Sequence, residues 1–373
     1  MAWIEKRAQP GKNGEPGTTS WRVVFRDARG VKRSQSFPTE RAARDFAKQA
    51  EVDLARGDLT DPAGPRTLFG DYYNRWRAGR VHRSNTQDQV EMIFRVRVLP
   101  TLGHRQLGQI RPSDIQAWVA QLAGAGYSPA TIETSFAWLR SVFAAAVHDE
   151  LIRTTPCRRI RLPKKPPAQL LVPITAGQVQ DLADAIHPQL RGLVITGAGT
   201  GLRSGELGGL DLTRVDMLHR RLTVNRQLLT PQNGSLFFGP PKSEASNREV
   251  PLAAVVVEEL AAHLAQWPAQ ANDAGVIFTP PRTTRLLSRK TLHWWWRKAR
   301  LEVGLPDVTP HDLRHFYAST LLAAGESLLV VKARLGHASI QETADTYGHL
   351  VPGDDDRTRR TIDLALGSRS AVG

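Results

Sequence analysis

The sequence predicts a multidomain chain, mainly α with small β-sheets: a three-stranded β-sheet plus helix, then a four-helix bundle, then a mixed α+β domain. Three observations carry this. The length of 373 residues suits about two to three domains. The hydrophobic period changes along the chain, from short β-branched and aromatic segments in 1–60, to helical spacing in 66–155, to a mixture in 173–352. Between the second and third regions lies a basic, proline-rich stretch, 156–172, that reads as a linker, and 353–373 form a tail.

In the first module, residues 3–7, 21–26 and 32–37 read as strands separated by Gly-rich turns at 11–17 and 27–30. Thr39 and Glu40 open a helix to about residue 56, with Ala42, Ala43, Phe46, Ala47 and Ala50 at helical spacing and Gly57 as its stop. Arg22, Arg26, Lys32 and Arg33 fall along the strands, and a small basic sheet backed by one helix can read a nucleic-acid groove.

The second region is helical throughout. Leu68, Phe69, Tyr72, Tyr73 and Trp76 give one apolar face, and Val90, Ile93, Phe94 and Val98 give another that Pro100 ends. Ser113 and Asp114 begin a third helix, which runs through Ile115, Trp118, Val119 and Leu122 to Gly124. Ser128 caps a fourth, with Pro129 at its first position, that reaches about Glu150. The charged face of this bundle carries Arg75, Arg77, Arg80, Arg83, Arg95, Arg97 and Arg105. The linker adds Arg158, Arg159, Arg161, Lys164 and Lys165 among its prolines, and an extended basic segment of this kind could follow a phosphate backbone between two domains clamped on a duplex.

Charge agrees. The net charge is +14 and the isoelectric point about 10.4, the footprint of a chain that meets polyanions. Residues 66–172 hold 16 basic against 7 acidic side chains, whereas 1–60 hold 12 against 8 and 173–373 hold 22 against 20, so the middle segment is the expected main grip on phosphate. Cys157 is the only cysteine, which excludes an internal disulfide and fits a reducing compartment. Met1 leads into Trp3, Ile4 and Glu5 without the apolar core of an export signal, and the longest apolar stretches are too short to span a bilayer. A soluble cytoplasmic protein is expected.

In the third region Thr175 and Gln178 have the spacing of a capping box. The segment 196–210, TGAGTGLRSGELGGL, reads as a tight Gly turn that starts a helix presenting Arg203, with Glu206 three residues on and able to fix its guanidinium. It is not a dinucleotide fingerprint, because Leu202 and Ser204 stand where the third glycine would be needed, and it lacks the Gly-Lys-Ser/Thr of a P-loop. Residues 222–228 and 248–252 read as strands, with Lys242 in the loop 239–247. An ammonium there can give a proton to a departing oxygen, which a permanently charged arginine cannot. In 309–322, TPHDLRHFYASTLL, Thr309 caps a helix, Pro310 takes its first position, and His311 and Arg314 point together from a terminus that favours phosphate. His311 and His315 are four apart, but Arg314 between them and the lack of nearby carboxylate ligands argue against a metal pair. A further helix, 328–335, stops at Gly336 just before His337, and a short polar helix in 343–350 presents Tyr347. In the tail, Ile362, Ala365 and Leu366 make a small apolar stripe on a helix too short to stand without docking.

Arg203, Lys242, His311, Arg314, His337 and Tyr347 thus supply three cationic donors, two imidazoles and one weak nucleophile. That inventory suits attack on a phosphodiester, and no carboxylate cluster accompanies it to hold a metal.

At this point the motifs resemble a family. Arg203 in TGLRSGEL, Lys242 before a Ser-x-Arg-x-Val-Pro strand, His311 and Arg314 in HDLRHFYAS, His337 in RLGHASI and Tyr347 in DTYGHL are similar, in type and order, to the active site of tyrosine recombinases, most of all the lambda-like integrases of phages and integrative elements. The resemblance covers about 175–350 by motif and the upstream modules by arrangement. It implies an arm-type DNA-binding domain at 1–60, a core-binding domain at 66–155 and a catalytic domain at 173–352. It implies that Tyr347 attacks the scissile phosphate to form a 3′-phosphotyrosyl link, that Arg203, Arg314 and His337 hold the non-bridging oxygens, that Lys242 protonates the leaving 5′-oxygen, and that His311 takes up or shares the tyrosine proton. Glu206 and His315 would orient Arg203 and the surroundings of His311. No metal, cofactor or ATP is implied. The implied partners are double-stranded DNA at attachment sites and a homotetramer on DNA, with an excisionase and a host DNA-bending protein as further candidates, in the nucleoid of a bacterial host. The competing readings are a DNA-relaxing enzyme of the type IB topoisomerase kind and a DNA-binding protein without catalysis. The N-terminal module weighs against the first, because a swivelling enzyme needs no second DNA address, and the complete set of six against the second.

Overall fold

The computed structural model describes residues 2–9, 18–26, 32–55, 64–80, 84–166, 171–230, 235–269, 275–350 and 355–367. The chain divides into two compact units, Met1–Ala168 and Gln169–Gly373.

The first unit opens with strands β1 (Trp3–Gln9), β2 (Thr18–Arg26) and β3 (Lys32–Phe37), paired antiparallel in that order with Trp3 opposite Val24 and Trp21 opposite Phe37. Period-two alternation puts Val23 and Phe25 under helix α1 (Glu40–Ala55). There they meet Ala43 and Ala50, and Phe46 packs with its ring centroid 5.1 Å from that of Phe37. The expected turns at 11–17 and 27–30 and the stop at Gly57 lie outside the described residues.

The bundle follows as α2 (Phe69–Ala78), α3 (Ser84–Ile93), α4 (Leu99–Leu102), α5 (Pro112–Gly124) and α6 (Pro129–His148). Its core is aromatic: Tyr73 stacks on Phe94 at 4.0 Å between centroids, and Phe69 lies 5.0 Å from Phe143. The N-cap of α6 is as the sequence predicts, with Ser128 Oγ accepting from the Thr131 amide at 3.3 Å. Pro100 does not end its helix. Residues Phe94–Val98 form a π-helical turn in which the Leu99 amide reaches back to the Phe94 carbonyl. That wider turn accommodates the ring and lets the helix continue to Leu102. The first part of the proline-rich stretch is tied to the bundle: Cys157 is buried in its core, and Gln116 of α5 both accepts from the Arg161 amide (2.9 Å) and donates to the Arg161 carbonyl (3.0 Å).

The second unit holds α7 (Ala176–Ala185), α8 (Pro188–Thr200), α9 (Ser204–Gly208), β4 (Val215–Asp216), β5 (Arg221–Val224), β6 (Gln227–Leu229), β7 (Phe237–Gly239), β8 (Arg248–Pro251), α10 (Ala254–Gln266), α11 (Arg289–Glu302), α12 (Asp312–Ala323), α13 (Leu328–Leu335), α14 (Ile340–Tyr347) and α15 (Asp355–Gly367). Strands β4, β5 and β8 form one antiparallel sheet and β6 with β7 a hairpin, so the single strand expected at 222–228 is in fact two, broken at Asn225 and Arg226. The hydrophobic α8 runs through the centre, packed by α7, α10 and α12. The Gly-rich segment is likewise different from the expected turn. Gly197 and Gly199 lie inside α8, where a Cβ on Gly199 would come within 2.3 Å of Val256 Cγ2, so glycine there serves close helix packing; the turn comes at Gly201, whose φ of 65° is left-handed. Among the described residues no helix is long and apolar enough to cross a membrane. The tail helix α15 forms, with Ile362 and Leu366 exposed.

Candidate active site

The candidate residues come from the ends of separate elements. Arg203 is the N-cap of α9, one residue earlier than the first helical turn expected for it, and Glu206 accepts from it twice: the Arg203 amide donates to Glu206 Oε2 (2.9 Å) and its Nη1 to Oε1 (3.0 Å). Arg314, in the first turn of α12, is buried at 1 % exposure. Its guanidinium donates from Nη1 to the Gly201 carbonyl and from Nη2 to the Leu335 carbonyl, both at 2.7 Å, so the C-terminal ends of α8 and α13 aim the fork. Burial is the main reason its pKa falls to about 9, with the neighbouring Arg203 adding to the effect. His337 follows Gly336, the left-handed cap of α13, and its Nδ1 lies 2.9 Å from the hydroxyl of the buried Thr343 on α14. Burial first, then Arg314 and Arg203, push His337 down to about 3, so at neutral pH the ring is uncharged.

Tyr347 ends α14 and is 1 % exposed. Its hydroxyl sits 2.8 Å from His315 Nδ1. Burial raises its pKa to about 12, against the pull of Arg314. The ring that touches the phenol is thus that of His315. His311 is the N-cap of α12, perpendicular to His315 at 4.7 Å between centroids. Thr309 is not the cap itself: the helix starts two residues later than its position implies, and the Thr309 hydroxyl and amide both donate to Asp312 Oδ2. His311 is exposed overall, yet partial desolvation of its ring, then His315 and Arg314, bring it to about 4.

Lys242 is exposed in the turn after β7. Its loop is anchored on the His337 turn: Ser246 Oγ donates to the Gly336 carbonyl at 3.3 Å, and a Cβ on Gly336 would lie 3.0 Å from Ser246 Cα. Arg248, which sequence reasoning did not single out, closes the arrangement. It donates from Nη2 to Glu206 Oε2 (2.9 Å), from Nη1 to Glu206 Oε1 (3.2 Å) and the Ser246 carbonyl (3.1 Å), and from Nε to the Arg334 carbonyl (2.7 Å). Burial alone would raise the Glu206 pKa; the hydrogen bonds and charge of Arg248, with the charge of Arg203, outweigh it and hold the carboxyl below its usual range. Arg203, His311, Arg314, His337 and Tyr347 lie close enough for their charges to act on one another. They form a cationic pocket around a phenol.

The arginines expected to grip DNA are less uniformly available. Arg77 pairs with Glu91 at 3.0 Å, Arg105 with Asp114 at 2.9 Å, and Lys165 with Glu133. Arg97 lies over the Tyr127 ring, Arg80 over Trp76 and Arg75 over Tyr72. In the sheet Arg22 donates to Ser34 Oγ and Lys32 sits over Trp3. Arg95, Arg158, Arg159, Arg161 and Lys164 are exposed or partly so, as are Arg26 and Arg33, whereas Arg83 lies outside the described residues.

The model of the phage integrase family matches residues 173–353, and that of the phage integrase N-terminal SAM-like domain matches 68–123, together well over half of the chain. The chain belongs to the phage integrase family. It is thereby a tyrosine recombinase, an enzyme that cleaves and rejoins DNA. This integrase is 26 % identical to the transposase of transposon Tn916 of Enterococcus faecalis over 81 % of the chain and 79 % of that protein. Its fold matches the Tn1549 transposon integrase bound to a circular intermediate DNA with a TM-score of 0.68 at 20 % identity, over 81 % of this chain and all of that one. It matches a lambda integrase dimer bound to a core site with a TM-score of 0.60 at 19 % identity, over 94 % and 95 % of the two chains. At those identities the likeness is one of fold.

Proposed function

We propose that this integrase inserts a phage or other mobile element at an attachment site by cutting and rejoining DNA through a 3′-phosphotyrosyl intermediate. The observation that carries the reading is the burial of the Tyr347 phenol in a pocket shared with Arg203, Arg314, His311 and His337. A phenol with a pKa near 12 is a poor nucleophile at pH 7, and it gains reactivity only where cations receive the charge that moves onto the phosphate. Arg203 and Arg314, held by carbonyls and by Glu206, then bind the non-bridging oxygens, and His337, neutral and tethered through Nδ1, donates from Nε2. Lys242 serves as general acid for the leaving 5′-oxygen. The exposure of α15 accords with assembly into a tetramer on DNA, and the cytoplasm is the place of action.

Lys242→Ala is expected to slow cleavage by about two to four orders of magnitude, the range of a lost general acid. A substrate with sulfur in place of the bridging 5′-oxygen has a leaving group that needs no proton, and it should restore the rate. Lack of restoration, with Tyr347 competent, would reduce Lys242 to a phosphate contact.

The sheet with its own small core at Val23, Phe25, Ala43 and Ala50 is the proposed second DNA address, at arm-type sites. Removing residues 1–60 should leave cleavage of a core half-site within about a factor of three while abolishing joining of two attachment sites in a mixed-DNA assay. Equal joining by the truncated and full chains would make the module a structural cap, and relaxed circles without joined product from the full chain would favour the topoisomerase reading.

A further inference from the structure

We propose that His315 is the base that takes the proton from Tyr347, an assignment that rests on the recombinase reading and gives the imidazole next to Arg314 a part in the reaction itself. The geometry is direct. His315 Nδ1 stands 2.8 Å from the Tyr347 hydroxyl, and the His311 ring packs edge-on against His315 at 4.7 Å between centroids. His315 and Tyr347 sit on different helices, α12 and α14; the phenol is buried and the His315 ring half-buried. Burial, opposed by Asp312 and assisted by Arg314, lowers the His315 pKa and leaves the ring neutral at pH 7, able to accept.

The step balances. The proton of the Tyr347 O–H bond passes to His315 Nδ1 while the phenolic oxygen forms its bond to phosphorus. The bond from phosphorus to the 5′-oxygen breaks, and that oxygen takes a proton from Lys242. Cleavage ends with an imidazolium at His315 and a neutral amine at Lys242, and rejoining returns both protons. For the phenol to donate, the free His315 ring holds its own proton on Nε2. The perpendicular His311 ring packs against the imidazolium.

The test is single-turnover formation of the covalent adduct by the full chain on a nicked suicide duplex carrying the circular junction of its element. His315→Asn places an amide oxygen where Nδ1 was, keeping an acceptor that cannot take up a proton. It should cut adduct formation by about two to four orders of magnitude, with half-site binding and melting temperature unchanged. Sulfur at the bridging 5′-position should not restore this variant, although it should restore Lys242→Ala. His315→Gly should recover activity in added imidazoles, more with each more basic member of the series. A His315→Asn chain that cleaves as fast as the unaltered protein overturns the assignment, and one that cleaves faster shows the bond to be a latch that parks the tyrosine. Loss in His311→Asn, with imidazole rescue of His311→Gly and none of His315→Gly, would give the role to His311. An unaltered chain that forms no adduct on this duplex overturns the recombinase reading, and this assignment with it.

Discussion

Tyr347→Phe is expected to bind attachment-site DNA as the unaltered chain does and to form no covalent protein–DNA adduct at all. The substitution removes one oxygen from a side chain that is 1 % exposed and packed in the core of the second unit, so no cavity of consequence opens. What is lost in stability is one hydrogen bond, to His315 at 2.8 Å, about 1 kcal/mol. The His315 ring is left without its phenol but at the edge of a polar pocket, where water can reach it. The loss of reaction is total by comparison, because no other hydroxyl on α14 stands in this position: Thr343 is occupied with His337, and the Thr346 hydroxyl donates to the Glu342 carbonyl. The measurement is a denaturing gel of the chain with end-labelled DNA, beside a native gel for binding. A labelled adduct with the Phe variant would remove Tyr347 from the mechanism, and weakened binding would mean that the phenol supports the fold more than its one bond suggests.

Much of this arrangement is legible in the sequence where the determining interaction is local. Ser128 before Pro129, and Thr175 three residues before Gln178, are caps whose partners lie within one helical turn, and the structure makes both. The strand Lys32–Phe37 and the helix Leu328–Leu335 also fall at the expected positions. The misreadings are at residues whose role depends on distant partners. Gly199 looked like part of a turn, but it is glycine because Val256 of α10 approaches it, and nothing within ten residues reveals that. Arg248 pairs with a residue 42 positions earlier and with a carbonyl 86 positions later, so its strand shows only an alternating basic residue. Arg77 could be taken for a phosphate contact because its partner Glu91 is on another helix. His315 was legible as a neighbour of the site, but the choice between it and His311 for contact with Tyr347 depends on where α14 crosses α12, which helical spacing on α12 does not contain.

The second large effect is expected at Arg248. Its side chain is 5 % exposed and that of Glu206 is 2 %, so Arg248→Met leaves a carboxylate buried with Arg203 as its remaining charged partner. Breaking a buried ion pair from one side costs about 3–5 kcal/mol, and for a unit of this size each kcal/mol lowers the melting temperature by about 2–4 °C. The expected fall is therefore on the order of 10 °C. Its dependence on pH has a fixed sign. The folded-state pKa of Glu206 is depressed, so the stabilisation is complete above the ordinary carboxylate pKa and fades as pH falls through the lowered value; the gap between variant and unaltered chain should narrow in acid. Cleavage should fall too, because Glu206 no longer has Arg248 to hold it against Arg203, and because the ties from β8 to the Arg334 and Ser246 carbonyls, which set the His337 turn and the Lys242 loop, are gone. Arg248→Lys keeps the charge but cannot make the two-pronged bond, and should recover part of the stability and little of the cleavage. The double change Arg248→Met with Glu206→Leu separates the two roles. It leaves no unpaired carboxylate and should regain several degrees, while Arg203, without its carboxylate, stays unheld and adduct formation stays low. A single Arg248→Met chain that melts within about a degree of the unaltered protein, or a double variant that cleaves normally, would show that this buried pair neither supports the unit nor positions Arg203.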